Sequence, residues 1–317
     1  MDGVVIVNSN WGLIFLTQMS VGILGNSSFF CLRVFSSLAA RTLKPMDLVL
    51  YQLVLTNNLS LLCKGLPQTM AALGLTSFLD DTGCKCVFYA YRVARGTSLS
   101  TTCFLSSFQA MKISTRVPGW LKVRLRSPTF TGLGCVLCWV LQLLLNVNLI
   151  MRVSGPGNNK NLSKENMYRY CSSPTGGHLL FPIIALIYSL SDGLCLGLMT
   201  LASGSMVLVL HRHKQRVQYL QRHCLSPRPS HEARATCTIL LLVSLFVSFH
   251  SLSSVLSLCI TQTLKPSHSL LSVPVLVSSA FPAFSPYVFI VRDTHISHVF
   301  SVCQKRRLRG QHENSVG

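Results

Sequence analysis

Four ionisable side chains interrupt long apolar stretches of this chain: Lys64, Arg92, Arg95 and Asp192. A charge at mid-bilayer costs about 2.5–3.5 kcal/mol on insertion scales, so such groups face a protein interior or a watery cavity and find partners. Two chemistries follow. Arg95 or Arg92 pairs with Asp192 and ties two elements together. Alternatively, three cations against one acid leave a positive cavity that receives an acidic small molecule, such as a sulfate or carboxylate. A third reading lets Arg92 or Lys64 reach the outer interface along its apolar stem. Catalytic chemistry has no comparable foothold. There is no Gly-x-x-x-x-Gly-Lys-Ser/Thr loop, no His-Glu-x-x-His and no Gly-x-Ser-x-Gly, and 9 acidic residues leave few for general acid–base work. No enzyme activity, cofactor or metal is expected. Cys135-x-x-Cys138 falls inside an apolar block and reads as two small buried hydrophobes.

The elements that must position these residues are apolar blocks. Mean hydropathy is +0.46 and 12% of residues are charged, against about 25% in soluble domains. A span needs roughly 20 apolar residues. Five blocks qualify outright: Trp11–Leu32, Thr129–Met151, Leu179–Leu210, Ala235–Leu264 and Pro266–Val291. Two are weaker. Leu48–Leu75 contains Lys64, and Cys84–Ile113 contains Arg92 and Arg95. Dropping one of them would put the two halves of the chain on conflicting sides. The reading is therefore an all-α membrane protein, one domain over 1–317, with seven spans near 11–36, 47–73, 84–113, 129–152, 179–211, 235–262 and 268–292 and a tail over 293–317.

Charge supports this. Of 28 basic residues, 19 fall in the segments that seven spans place inside, from Arg33 to the tail, and six in the outer ones. Lys and Arg accumulate in cytoplasmic loops, so the N-terminus is outside and the C-terminus cytoplasmic. Topology thus accounts for most of the +19 net charge, and nucleic acid is not an expected partner. The partner is the lipid bilayer. Inverted repeats or helices broken in matching places would suggest a channel or transporter; neither is visible. At 1.5 Å per residue, Arg92 and Arg95 lie about 12 and 16 Å below Cys84, Lys64 about 12 Å below Ala72 and Asp192 about 18 Å below Leu180. All four belong to the outer half of the bundle.

The long outer loop carries the sequon Asn161-Leu162-Ser163, an expected glycosylation site; the sequons at Asn26 and Asn58 lie inside spans. Cys171 shares that outer loop, and either Cys84 or Cys86 at the outer start of the third span is a partner for it in an oxidising compartment. On the inner side, Arg116, Arg212, Lys214 and Arg216 are candidate contacts for a signalling partner as well as topology anchors. Cys303, before QKRRLRG, is a candidate for palmitoylation.

Several motifs occur in order: KGLPQTMAALG (64–74), GCKCVFYAYRVARGTSLSTTCFLSSFQAMKIS (83–114), CLGLM (195–199), LHRHKQRVQ (210–218), SPRPSHEARAT (226–236) and FPAFSPYV (281–288). Together they resemble the type 1 vomeronasal receptors, a family of G-protein-coupled receptors, through nearly the whole chain. That resemblance implies a seven-helix pheromone receptor, a small-molecule ligand, a heterotrimeric G protein of inhibitory type, and a Cys84–Cys171 bridge. A bitter-taste-type receptor is the nearest alternative. The larger rhodopsin-like class is matched only at Gly25-Asn26. Its Asp-Arg-Tyr triplet is replaced by the QAMKIS segment, its Asn-Pro-x-x-Tyr by Ser285-Pro286-Tyr287-Val288-Phe289, and its Cys-Trp-x-Pro is absent. Thr115 stands where the family often has proline.

Overall fold

The structure, a computed structural model, describes residues 2–41, 44–75, 78–114, 117–125, 127–147, 171, 180–220, 231–261 and 268–292. Among these the chain forms eight α-helices: α1 (Asp2–Ala40), α2 (Pro45–Ala72), α3 (Asp81–Ile113), α4 (Gly119–Leu125), α5 (Pro128–Asn146), α6 (Leu180–Leu220), α7 (His231–Thr261) and α8 (His268–Arg292). Six of them, α1, α2, α5, α6, α7 and α8, are long and apolar enough to cross a membrane. The 33-residue α3 has the length, about 50 Å at 1.5 Å per residue, but it carries Asp81, Lys85, Arg92, Arg95 and Lys112. The short α4 has no counterpart among the apolar blocks; its Leu125 is buried while Trp120 and Val123 are exposed.

Local sequence explains the helix ends. Pro45 and Pro128 open α2 and α5 at the first turn, where a missing N–H costs nothing. Asp80 caps α3, its Oδ1 accepting from Gly83 N–H at 2.7 Å. The C-terminus of α2 closes on Gly74, whose φ of 93° is a left-handed conformation that favours glycine. The Leu75 N–H returns to Met70 O and the Gly74 N–H to Ala71 O, satisfying carbonyls that α2 would otherwise leave open.

The least apolar helix runs through the middle. α3 packs against α2, α5, α6 and α7, and it buries an almost unbroken run, Val93, Ala94 and Thr97 to Cys103. Much of that run is Ala, Ser and Thr, which let helices approach closely. The hydroxyls are absorbed locally: Thr102 donates to Ser98 O at 2.8 Å and Ser106 to Cys103 O at 2.9 Å. Side-chain amides then cross between helices. Asn57 of α2 donates to Ser285 of α8 at 2.9 Å and accepts from Ser98 of α3 at 3.1 Å. Gln52 reaches Thr101 at 2.6 Å, and Gln142 of α5 reaches Ser100 at 3.1 Å. By contrast, α5 and α6 expose rows of leucine and valine, among them Leu137, Leu141, Leu190, Leu194 and Leu201, as lipid-facing helices do.

Proline shapes the α1–α8 contact. Within α8, Pro282 O would accept from the N–H of residue 286, but that residue is proline and has none. Asn26 of α1 fills the place, its Nδ2 donating to Pro282 O at 2.8 Å. Tyr287 returns the contact by donating to Val21 O at 2.9 Å. Asn26 is fully buried, so the sequon it begins is closed to modification.

Candidate functional site

The N-terminal end of α3 is pinned by a disulfide between Cys84 and Cys171, with Cα atoms 5.9 Å apart. Cys84 is fully buried and packs with Ala71, Phe78, Leu79 and Phe88. Cys86 is exposed and free. The bridge therefore holds Cys171 at the α2–α3 corner, while Asn161 lies outside the described residues.

Two to three turns further in, three helices converge. Arg95 of α3 donates from Nη2 to His250 Nδ1 of α7 at 3.1 Å. On the far side of that imidazole, Nε2 stands 3.8 Å from Asp192 Oδ2 of α6. Arginine has only donors, so Nδ1 must carry the lone pair and the single ring proton sits on Nε2, toward the carboxylate. Asp192 and Arg95 are thus joined through His250, a residue that the sequence reading did not include. Phe246, one turn away on α7, stacks its ring against the imidazole at 5.8 Å and 15°.

The other two cations have aromatic partners. Arg92 lies over the Tyr188 ring of α6, 4.5 Å from its centroid, and the Tyr188 hydroxyl is anchored to Leu145 O of α5 at 3.0 Å. Lys64 donates to the Tyr91 hydroxyl at 3.0 Å and to Ser278 Oγ of α8. Neither cation reaches the outer surface as a free ion.

Two small cavities flank the Arg95–His250 contact. One, about 30 Å³, is bounded by Arg95, His250, Phe246, Ser278 and Asn57, among others. The other, about 20 Å³, is bounded by Arg92, Arg95, His250, Asp192 and Tyr188, among others. Each has room for about one or two waters. Ligand sites of small organic molecules run to about 300–1,000 Å³, so a ligand entering here must part the side chains. Of the four expected residues, Arg92, Arg95 and Asp192 share one cavity, and Lys64 adjoins the other through Ser278. The residues that sequence reasoning missed are His250, Tyr91, Tyr188 and Ser278. His250 alone left a readable sign: it is an ionisable residue inside an apolar block, the same criterion that singled out Asp192.

The opposite end of the bundle shows a different cluster. Arg33 of α1 pairs with Asp47 at the start of α2 at 2.5 Å. Asp47 is almost fully buried, and its carboxylate also takes the Lys44 N–H at 3.2 Å and the Ser37 hydroxyl at 3.3 Å. Gln109 of α3 meets Thr236 of α7 at 3.3 Å, where the larger receptor class has a charged triplet. Arg212 is exposed on α6. The side chains of Lys214 and Arg216, and both Arg116 and Cys303, lie outside the described residues.

The family model described as "Vomeronasal organ pheromone receptor family" matches residues 9–302. Human vomeronasal type-1 receptor 1 is 46% identical over 296 residues, covering 93% of this chain and 84% of that protein. Human vomeronasal type-1 receptor 4 is 41% identical over 281 residues, covering 89% and 93%. A zebrafish (Danio rerio) protein, olfactory receptor class A-like protein 1, is 29% identical over 309 residues, covering 96% and 97%.

Proposed function

The chain belongs to the vomeronasal organ pheromone receptor family, G-protein-coupled receptors of the plasma membrane, and from that premise we propose a seven-span chemosensory receptor that takes a small acidic ligand between α3, α6 and α7. In this reading α1, α2, α3, α5, α6, α7 and α8 cross the bilayer as one domain, with the N-terminus outside. The 19-to-6 division of basic residues supports that orientation. Arg92 and Arg95 are compatible with α3 as a span because both turn to partners within the bundle, as ionisable groups in membranes do.

The observation that carries the ligand reading is the meeting of Arg92, Arg95 and Asp192 around one cavity in the outer half. A carboxylate or sulfate entering there finds two guanidinium groups, one held by a neutral imidazole and one by an aromatic face. Lys64, beside the second cavity, is the third candidate contact. On the inner face, Arg116, Arg212, Lys214 and Arg216 meet a heterotrimeric G protein, of the inhibitory type that the family resemblance implies. Asn161 carries a glycan, and Cys303 is the candidate lipid anchor.

The test uses cells expressing the receptor with a promiscuous G protein, screened with small carboxylates and sulfates beside their neutral analogues. A charge-assisted hydrogen bond is worth about 1.5–3 kcal/mol, so Arg95→Gln should weaken the response to an acid about 10- to 100-fold at equal surface expression, and Arg92→Gln by a similar factor. The reading fails if both variants respond as wild type, or if the activating compounds are neutral. The paired reading has its own discriminator: Arg95→Asp with Asp192→Arg restores surface expression lost in either single variant only if that charge pair holds the fold.

A further inference from the structure

We propose that His250 is a proton-binding site, and that occupying it moves the outer half of α7 from Arg95 on α3 to Asp192 on α6. The argument starts from the ring. Nδ1 accepts from a guanidinium at 3.1 Å, and a guanidinium has nothing but donors. A proton arriving at Nδ1 removes that acceptor and sets two cations against each other. The same proton turns the 3.8 Å approach of Nε2 to the Asp192 carboxylate into a charged pair. Repulsion on one side and attraction on the other act along the same line, so the ring is driven toward α6. Phe246 lies face to face with the imidazole. An aromatic face attracts a cation, so this contact persists in both states and guides the ring's displacement.

Access is provided by the cavities. His250 borders both, and each has room for about one or two waters. The side chain of Asp192 is 37% exposed and that of His250 11%. Among the described residues, the charged and titratable groups that face the ring or share its cavities are Arg92 and Arg95 from α3 and Tyr188 and Asp192 from α6. From α8 come Ser278, Phe281 and Pro282, and from α2 Asn57 and Ser60, none of which titrates. Tyr91 of α3 contacts Arg95 directly, and Lys64 donates to both Tyr91 and Ser278. Imidazole is the side chain whose unperturbed charge change falls between roughly pH 5 and 8. α3 and α7 are also joined by the Gln109–Thr236 bond near their inner ends, a neutral contact of 3.3 Å. Releasing the Arg95–His250 tie loosens one of the contacts between α7 and α3, beside the Gln109–Thr236 bond and the apolar core the two helices share.

The inference does not rest on the chemistry of the ligand, and its test uses none. Thermal unfolding of the purified full-length receptor in lipid nanodiscs would be followed from about pH 8 to about pH 5. The proteins compared are wild type, Asp192→Asn, His250→Asn and the double variant. Removing Asp192 leaves protonated His250 facing Arg95 with no counter-charge, so Asp192→Asn should lose stability on acidification more steeply than wild type. That excess should vanish in the double variant, where residue 250 cannot titrate. An Asp192→Asn curve parallel to wild type, or an excess that survives in the double variant, overturns the proposal. Should either variant not fold, histidine-labelled wild type carries the test. The imidazole shielded from a water-soluble paramagnet should pass from Nε2–H alone to doubly protonated across that range. A shielded imidazole that stays neutral throughout overturns the proposal.

Discussion

Replacing Asn26 by alanine tests the account of the α1–α8 contact. Pro282 O receives no N–H from its own helix, because residue 286 is proline. Asn26 Nδ2 supplies the bond at 2.8 Å, and Asn26 is fully buried, so no water takes its place. Truncation strands a buried carbonyl, which costs about 1–3 kcal/mol. Interhelical hydrogen bonds measured in a membrane bundle average about 0.6 kcal/mol and reach about 1.7, which argues for the lower part of that range. The space left by the amide adds to it. We expect Asn26→Ala to destabilise by about 2 kcal/mol. The sharper expectation concerns a second site. Pro286→Ala restores an N–H four residues after Pro282, so in the double variant the helix satisfies its own carbonyl. Asn26→Ala with Pro286→Ala should therefore be more stable than the sum of the single effects by about 1 kcal/mol. The assay is unfolding in detergent micelles, with surface expression as a parallel readout. Additivity within about 0.5 kcal/mol, the behaviour of uncoupled sites, would refute the reasoning, because it would mean that Asn26 serves something other than the carbonyl freed by Pro286.

Two further expectations concern the ends of the bundle. Cys84→Ser or Cys171→Ser should cost about 2–4 kcal/mol and reduce surface expression together with outer-loop order, whereas Cys86→Ser, at an exposed free thiol, should stay within about 0.5 kcal/mol of wild type; unfolding of the three variants side by side decides it. At the other end, Arg33→Met leaves the buried Asp47 carboxylate, among the described residues, with the Lys44 N–H and the Ser37 hydroxyl. Breaking a fully buried pair costs about 3–5 kcal/mol, and the partial exposure of Arg33 lowers the expectation to about 2. Arg33→Met with Asp47→Asn should recover part of that loss, and the same unfolding assay reads it.

The helices were legible because apolar blocks of about 20 residues with polar interruptions have few other fates. Five blocks map directly onto α1, α5, α6, α7 and α8, and a sixth, despite Lys64, onto α2. The short α4 was not legible, since its seven residues are too few for a periodic signal. The outer site was legible in its charges and illegible in their connections. Arg95 and Asp192 stand out as ions in apolar blocks, but nothing in their spacing announces that a histidine lies between them. His250 escaped because a count of Asp, Glu, Lys and Arg treats imidazole as neutral. Tyr91, Tyr188 and Ser278 escaped because Tyr and Ser are ordinary residues in apolar helices, and only the helix packing brings Tyr188 under Arg92 or Ser278 to Lys64. Distance along the chain was the obstacle: Arg95 and His250 are 155 residues apart and Lys64 and Ser278 are 214.

The third helix brings these points together. By composition it is the most polar of the long helices, and in the structure it is the central one. The two facts have one cause. A helix with neighbours on most of its sides has little lipid to satisfy, so apolarity is not demanded of it; what is demanded is that each polar atom find a partner. Ser98 finds Asn57, Thr102 and Ser106 find their own helix, Arg92 finds the Tyr188 ring and Arg95 finds His250. The hydroxyl partners are local or amide-borne and stay fixed. The arginines lie instead against rings, Arg92 on Tyr188 and Arg95 on His250 and Tyr91. A guanidinium held by a neutral ring is stable inside the bundle, yet it keeps its full charge for an anion that arrives later. A carboxylate partner would have spent that charge on the fold. The polarity that sets α3 apart from the apolar helices is what places two guanidinium groups beside His250 and Asp192.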